Sequence, residues 1–319
     1  MKFGVFLPVS GKVAAGGGEV LAEAGQEAES LGIDSVWAAE RIVQPWEMKT
    51  KYPYKEDDQW AKFVPPDSPF LDPMIALTYL AAVTKKVELG VSVAVLPYRQ
   101  PLHFARIFTS IDNLSKGRFI LGAGIGWMME EFNSLGVDFH KRGAMGNEFL
   151  EILNKLWTTP GNKPEFHGKH YNFDPVAVSP PPVRKPRFPI WTGGESPAAQ
   201  KRAARYADAW FSYFVKISAD ELAAKFKEVQ ELAKTVGRDS TLGPVKLACC
   251  RPVDITDKPV EQNPQDLVGT PDQLIAALKK FKNIGVEHMA LQFIVGKYPE
   301  RRKKIERFAK EVVPALKQA

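Results

Sequence analysis

Eight times along this 319-residue chain, a short apolar run rich in strand-forming residues gives way to a stretch with helical spacing. The strand-like runs are Phe3–Pro8, Ile33–Ala38, Val87–Leu96, Arg118–Gly124, Phe188–Thr192, Asp208–Tyr213, Val245–Cys250 and Val286–Ile294. The helical patterns are Val20–Leu31, Asp72–Thr84, Pro101–Leu114, Gly146–Trp157, Pro197–Ala207, Ala219–Val236, Pro271–Ile284 and Arg301–Leu316. Asp72 and Pro73 suit the cap and first position of the second helix. A helix between each pair of strands returns the chain to its starting edge, so successive strands lie parallel, joined by right-handed crossovers. Val87–Leu96 is almost wholly apolar, as in a strand covered on both faces. Eight units predict a closed (β/α)8 TIM barrel, which takes roughly 250 residues plus insertions. The surplus lies after strand 2 (Arg41–Pro69) and before strand 5 (Pro160–Pro186). A doubly wound open sheet is the other arrangement this alternation allows. No composition break marks a linker, so residues 1–319 read as one domain.

An apolar fraction of 45% with 25% charged residues excludes a disordered or fibrous chain. The net charge of +6 is scattered, and the densest basic run, Arg301-Arg302-Lys303-Lys304, sits beside Glu300 and Glu306 as a solvated helix face would. Neither a basic stripe with aromatics nor a nucleic-acid module is present. The two cysteines, Cys249 and Cys250, are adjacent, a spacing suited to neither a structural disulfide nor a metal, and read as strand thiols of a reducing cytosol. The N-terminus lacks signal-peptide character, and no stretch approaches the ~20 apolar residues of a membrane span. A soluble cytoplasmic protein is expected.

Barrel chemistry sits at the C-terminal strand ends. Strand 1 runs into Ser10–Gly18, where Gly17-Gly18 replace the Lys and Ser/Thr of a phosphate-binding P-loop, leaving a flexible rim loop. Strand 2 ends in Glu40-Arg41; Glu40 is placed either to exchange a proton or hydrogen-bond a ligand, or to pair with Arg41 or another rim cation. Strand 4 ends Gly122-Ala123-Gly124-Ile125-Gly126-Trp127, where glycines admit close approach of a ligand or of a neighbouring strand. Strand 5 ends Gly193-Gly194-Glu195-Ser196-Pro197, two glycines opening a capped helix followed by Lys201 and Arg202. That is a phosphate seat at a helix N-terminus, or only a well-capped helix. Trp37, Trp127, Trp191 and Trp210 near one end suggest a flat apolar cavity, or core. His288 and Asp208 fall at the opposite end of their strands, and the other histidines lack ligand spacing, so no metal site is expected.

Taken together, Leu96–Pro101, Ala105-Arg106, Asp112–Arg118, Gly122–Trp127 with Glu131-Phe132, Trp191–Ser196, Arg202–Trp210 and Gly269–Asp272 resemble the luciferase-like monooxygenase family, in particular its F420-dependent oxidoreductase branch. The likeness implies a barrel that binds F420, or alternatively FMN, at the C-terminal strand ends. It implies a bulged third strand with a cis peptide at Ser92-Val93 supporting the ring and bending it. Gly193, Gly194 and Ser196 would hold the phosphate, while Gly124, Ile125 and Gly126 would pass beside the cofactor. It also implies a homodimer and a separate flavin or F420 reductase supplying reduced cofactor. One departure stands out: many relatives carry Glu-His or Asp-His after strand 2, where this chain has Glu40-Arg41. Arginine stays protonated and is a poor general acid or base, which leaves it to hold an anionic group.

The expected activity is hydride transfer between F420 and a small organic substrate, with Glu40 and Arg41 at the reacting end. The alternatives are an FMN-dependent monooxygenase, a cofactor-free hydrolase pairing Glu40 with Glu130 or Glu131, and a non-catalytic flavin-binding relative. Arg41–Pro69, with Tyr52, Tyr54 and Trp60, and Pro160–Pro186 are expected to form lid and specificity walls.

Overall fold

In the computed structural model, which describes residues 1–53, 65–213, 216–293 and 297–317, eight parallel strands close on themselves. They are β1 (Lys2–Phe6), β2 (Ser35–Ala38), β3 (Glu88–Val95), β4 (Phe119–Gly124), β5 (Ile190–Thr192), β6 (Ala209–Tyr213), β7 (Lys246–Ile255) and β8 (Val286–Phe293). Each pairs with its sequence neighbour, and β8 returns to β1 with Lys2 opposite His288 and Phe3 opposite Met289. The helices around the barrel are α1 (Gly17–Ser30), α2 (Pro73–Val83), α3 (Pro101–Leu114), α4 (Met129–Ser134), α5 (Arg142–Thr158), α6 (Pro197–Tyr206), α7 (Ala219–Thr235), α8 (Pro271–Asn283), α9 (Tyr298–Glu311) and α10 (Val313–Lys317). The closed-barrel expectation therefore holds and the open sheet does not.

Local chemistry sets the helix starts. Asp72 Oδ1 accepts the amides of Met74 (2.8 Å) and Ile75 (3.2 Å) ahead of Pro73 at the first position of α2. Ser218 with Glu221 and Thr270 with Gln273 form reciprocal capping boxes on α7 and α8. Two helical expectations change. The last pattern divides at Val312, because Pro314, which has no N–H, is tolerated only in the first turn of a new helix. The short α4 was hidden within the glycine- and aromatic-rich stretch after strand 4.

Two apolar layers sandwich the sheet. The larger lies between strands and helices, while Trp37, Ile120, Trp191, Ala209, Phe211, Ala248, Cys250 and Ala290 fill the barrel itself. Gly4 and Gly90 make room for the Trp37 indole: a Cβ on either would stand 2.4 or 2.3 Å from ring atoms. Trp37 packs 5.2 Å from Trp191 and 5.3 Å from Phe211, and its Nε1 donates to Ser35 Oγ at 2.7 Å. Ser35 Oγ in turn lies 2.6 Å from His288 Nε2, whose ring burial pushes down to about 3 and so keeps neutral. Trp37 and Trp191 are thus interior filling rather than cavity walls.

The surface segments depart further from expectation. The Ser10–Gly18 loop is tied down, with the Gly11 amide on the Pro69 carbonyl (2.9 Å) and Leu71 on Val9 (2.8 Å). The segment before β5 builds no wall of the mouth: its Val183 amide binds Asp112 on α3 at 2.7 Å, and Asn113 donates to the Pro181 carbonyl at 2.9 Å. The basic run on α9 is a clamp rather than a solvated face, since Arg302 pairs with Glu23 and Glu27 of α1 and Lys304 with Asp254 of β7. Among the described residues, no helix is long and apolar enough to cross a membrane.

Candidate active site

The C-terminal ends of β2, β3, β4 and β5 surround a cleft of about 500 Å³. Glu40, Arg41, Ser92, Val93, Gly124, Ile125, Gly126, Gly193, Gly194 and Ser196 all line it, so the ten residues singled out from sequence are brought to one place. Arg202, Trp127 and Tyr52, which the sequence set beside the phosphate seat, in an apolar cavity and in the lid, line it too, together with Lys51 and Arg142, for which sequence reasoning had no place. Tyr54 and Trp60 lie outside the described residues.

Strand β3 is irregular where it forms the cleft wall. Its register with β4 shifts between Val91 and Ala94, and the Ser92–Val93 peptide is cis. Facing glycines accommodate this bulge. A Cβ on Gly122 would meet the Val91 carbonyl oxygen at 2.2 Å, and one on Gly124 would meet Val93 Cγ2 at 2.5 Å. Close approach of a neighbouring strand is therefore one reason for Gly124. Ser92 is buried, and its hydroxyl has no partner among the described residues.

Glu40 does not pair with Arg41. Its Oε1 accepts Arg99 Nη1 at 2.7 Å and its Oε2 accepts the Val95 amide at 2.5 Å. Burial pushes its carboxyl up to about 7, against the opposing pull of Arg99. Arg41 is bound instead by Glu131 and lies 5.5 Å above the Trp127 ring. Glu131, almost fully buried, also accepts the Tyr98 hydroxyl (2.8 Å) and the amides of Ile42 (2.8 Å) and Val43 (3.3 Å). Its neighbour Glu130 accepts the amides of Lys49 (2.7 Å) and Thr50 (2.9 Å). Two consecutive carboxylates on α4 thus staple the segment after β2 over the mouth, where Tyr52 meets Trp127 edge to face at 5.0 Å. Neither acid lines the cleft, so the carboxylate pair required by the hydrolase alternative is not assembled.

At the other end, the Gly193–Ser196 turn opens α6. Gly194 has φ +100, and Ser196 Oγ accepts the Ala199 amide at 3.3 Å. The amides of Gly194, Glu195 and Ser196 donate to no acceptor among the described residues. Behind the turn, Trp210 packs against Phe226 and its Nε1 donates to the Gly194 carbonyl at 3.0 Å, so this indole supports the site from outside. Two arginines, Arg142 and Arg202, line the cleft together with the turn. Arg202, 7% exposed, donates to Asn147 Oδ1 (2.8 Å), and Arg142 lies 3.7 Å over the Phe139 ring and donates to the Phe139 carbonyl. Burial pulls both below the ordinary arginine range. Neither meets a carboxylate among the described residues, and Arg142 Nε is buried without a partner. Buried cations are normally paired, and the buried Arg202, whose described partners are neutral, has the chemistry to take an anion. Arg202 was visible in the sequence one turn into α6; Arg142, 51 positions before Gly193, carried no local signal.

A closed parallel barrel whose cleft opens at the C-terminal strand ends has the layout of a barrel enzyme. Residues 1–263 match the sequence profile of the luciferase-like monooxygenases, and the chain belongs to that family. An uncharacterised protein of Mycobacterium tuberculosis is 33% identical over 213 residues, 67% of this chain and 71% of the relative. The pyrimidine monooxygenase RutA of a Bradyrhizobium species is 32% identical over 176 residues, 53% of this chain and 47% of that protein. Two solved structures share the fold. An F420-dependent secondary alcohol dehydrogenase in complex with an F420-acetone adduct superposes with a TM-score of 0.76 at 18% identity, covering 99% of this chain and 98% of that one. A riboflavin lyase with modified FMN and riboflavin superposes with a TM-score of 0.76 at 16% identity, covering 100% and 91%.

Proposed function

We propose that this chain is an F420-dependent oxidoreductase that passes hydride to or from a small organic substrate. The observation that carries the reading is the pairing, in one cleft, of a bulged wall at Ser92-Val93 with an anion seat made of a buried Arg202, a half-buried Arg142, neither on a carboxylate among the described residues, and a helix N-terminus. A flat ring bearing a phosphate on its tail has both characters. The residues fit such a group: Val93, Ile125 and Trp127 offer apolar surface, while Arg142, Arg202 and the amides of Gly194–Ser196 suit a phosphate. When bound, a deazaflavin supplies a carbon that carries hydride.

The protein's part is to hold and shield. Arg142 and Arg202 fix the anionic tail, Val93 supports the ring, and the segment stapled by Glu130 and Glu131 excludes water from the mouth. Glu40 offers a carboxylate poised near neutrality beside the bulge. Arg41, already held by Glu131, contributes positive charge rather than proton exchange.

A second reading is an FMN-dependent monooxygenase served by a separate reductase. The riboflavin lyase, which carries modified FMN on the same fold, favours keeping it. Fluorescence titration of the purified protein with F420 and with FMN separates the two, followed by bleaching of F420 absorbance with a panel of secondary alcohols and by oxygen consumption with reduced FMN. Tighter binding of FMN than of F420 overturns the first reading. We propose a homodimer as the working assembly, to be checked by light scattering.

A further inference from the structure

The two oxygens of Glu40 have different holders, and one of them is an anchored cation. Oε2 takes the amide of Val95, at the end of the bulged strand, and Oε1 takes Arg99 Nη1. The Arg99 guanidinium is held on two further sides. It lies 4.6 Å over the Phe104 ring of α3, and its Nη2 is 3.4 Å from Oδ2 of Asp72, the cap of α2. It cannot swing without leaving both ring and cap. A carboxylate oxygen accepts about two hydrogen bonds, so each Glu40 oxygen keeps a lone pair while one donor fixes its direction. The Glu40 side chain has no exposed surface, yet the residue borders the cleft.

We propose that Arg99 is a positioning residue, which holds the Glu40 carboxylate in one plane at the edge of the cleft and sets the charge it presents there. The charged groups around Glu40 act in opposite directions. Burial and the carboxylate of Asp72 disfavour its ionised form, and Arg99 with the Val95 amide favour it. The nearby Tyr98 hydroxyl and the Arg41 guanidinium are both turned to Glu131. Arg99 is therefore the cation that keeps a sealed carboxylate ionisable near neutral pH. The role rests on the cofactor reading only for what that charge acts upon; the clamp itself does not depend on it.

The test reads Glu40 directly in cofactor-free protein, as the protonated-carboxyl infrared band that is present in the parent chain and missing from Glu40→Gln, followed against pH. Arg99→Met should move the midpoint of that band upward by roughly 1–3 pH units. Arg99→Lys, which keeps a cation but loses the fork, should move it upward by less, and covers the case in which the Met variant fails to fold. Asp72→Asn keeps the helix cap and should move the midpoint downward. An unchanged midpoint in both Arg99 variants, an upward shift in Asp72→Asn, or no Glu40-dependent band at any pH overturns the proposal. Affinities for F420 and FMN across the same pH range form a second arm, where the pH dependence should vanish in Glu40→Gln. Failure of both cofactors to bind at every pH would sink the cofactor reading alone and leave the infrared result to decide the role of Arg99.

Discussion

Trp210 Nε1 donates to the carbonyl of Gly194 across 3.0 Å, joining a fully buried indole in the barrel wall to the turn that opens α6. The bond fixes the plane of the peptide that follows Gly194, and so the direction of the free amide of Glu195. Trp210→Phe keeps the packing on Phe226 and removes the donor. A stability loss of about 1 kcal/mol is expected, with a several-fold weaker hold on a phosphate-bearing cofactor. Denaturant unfolding and fluorescence titration of the same variant check this; a variant that loses stability with unchanged affinity would place the bond outside the binding machinery.

Gly194 itself tolerates no side chain. Its φ of +100 is costly for any other residue, and a Cβ would stand 2.8 Å from that of Ala199. Gly194→Ala should destabilise the protein by roughly 1–3 kcal/mol and weaken cofactor binding as the first turn of α6 is displaced. Steric exclusion of a phosphate is thus not the sole effect, contrary to what a glycine at a phosphate seat suggests from sequence. An unfolding midpoint equal to the parent's would refute the strain argument.

Burial lowers the proton affinity of both Arg142 and Arg202, and the charge of Arg142 lowers that of Arg202 further, so the two cations gain nothing from each other in the cofactor-free cleft. Replacing Arg142 by Met should therefore leave the cofactor-free protein close to its original stability. Affinity for F420 or FMN should fall tenfold to a hundredfold, the equivalent of losing a hydrogen bond to a charged group at about 1.5–3 kcal/mol. The ratio of the two effects is the readout: large destabilisation with unchanged affinity would make Arg142 a structural cation.

The barrel was legible because eight alternations of period leave few topologies open, and the glycine turns after β4 and β5 were legible because strand ends are where barrels keep their chemistry. The bulge at Ser92-Val93 came from family resemblance, and nothing in the local residue pattern announces it. Partnerships across the chain were not legible. Glu40 meets Arg99 rather than the adjacent Arg41, and Arg41 meets Glu131, pairings 59 and 90 positions apart. Trp37 and Trp191 could be read as cavity wall or as core, because a strand's inward face looks the same whether it meets ligand or packing. The signal that separates the two was present in Gly4 and Gly90, whose missing side chains show that the indole fills the barrel. The proline-rich segment before β5 suggested a lid by its length alone, and length does not say on which side of the barrel a segment lies.

Glu131 gathers Arg41, Tyr98 and the amides of Ile42 and Val43 on one buried carboxylate, and burial with this carboxylate drives the Tyr98 hydroxyl far above its usual range. Glu131→Ala leaves Arg41 in the protein without that partner and two amides without an acceptor. A loss of roughly 3–5 kcal/mol is expected, as for other broken buried pairs, together with faster proteolysis of the segment stapled over the mouth. Thermal unfolding and limited proteolysis test the two parts, and a variant within about 0.5 kcal/mol of the parent, inside the range of ordinary surface substitutions, would show that the staple contributes nothing.

The raised carboxyl of Glu40 makes stability depend on pH in the sense opposite to most acids. Its ordinary value is 4.5 and its folded value about 7, so between these limits the folded protein binds more protons at this site than the unfolded chain does. Stability at this site is then highest below pH 4.5 and declines as pH rises through 7, because ionisation costs more in the sealed cleft edge than in water. The full difference amounts to about 3 kcal/mol. Glu40→Gln removes the titration. Its amide nitrogen meets a donor on one side, which adds a constant penalty, so the slope rather than the absolute value decides. Urea unfolding of parent and variant from pH 5 to pH 8 should give curves that diverge in favour of the variant as pH increases. Parallel curves would mean that Glu40 titrates alike in both states, and that its carboxyl is not held near neutrality by the fold.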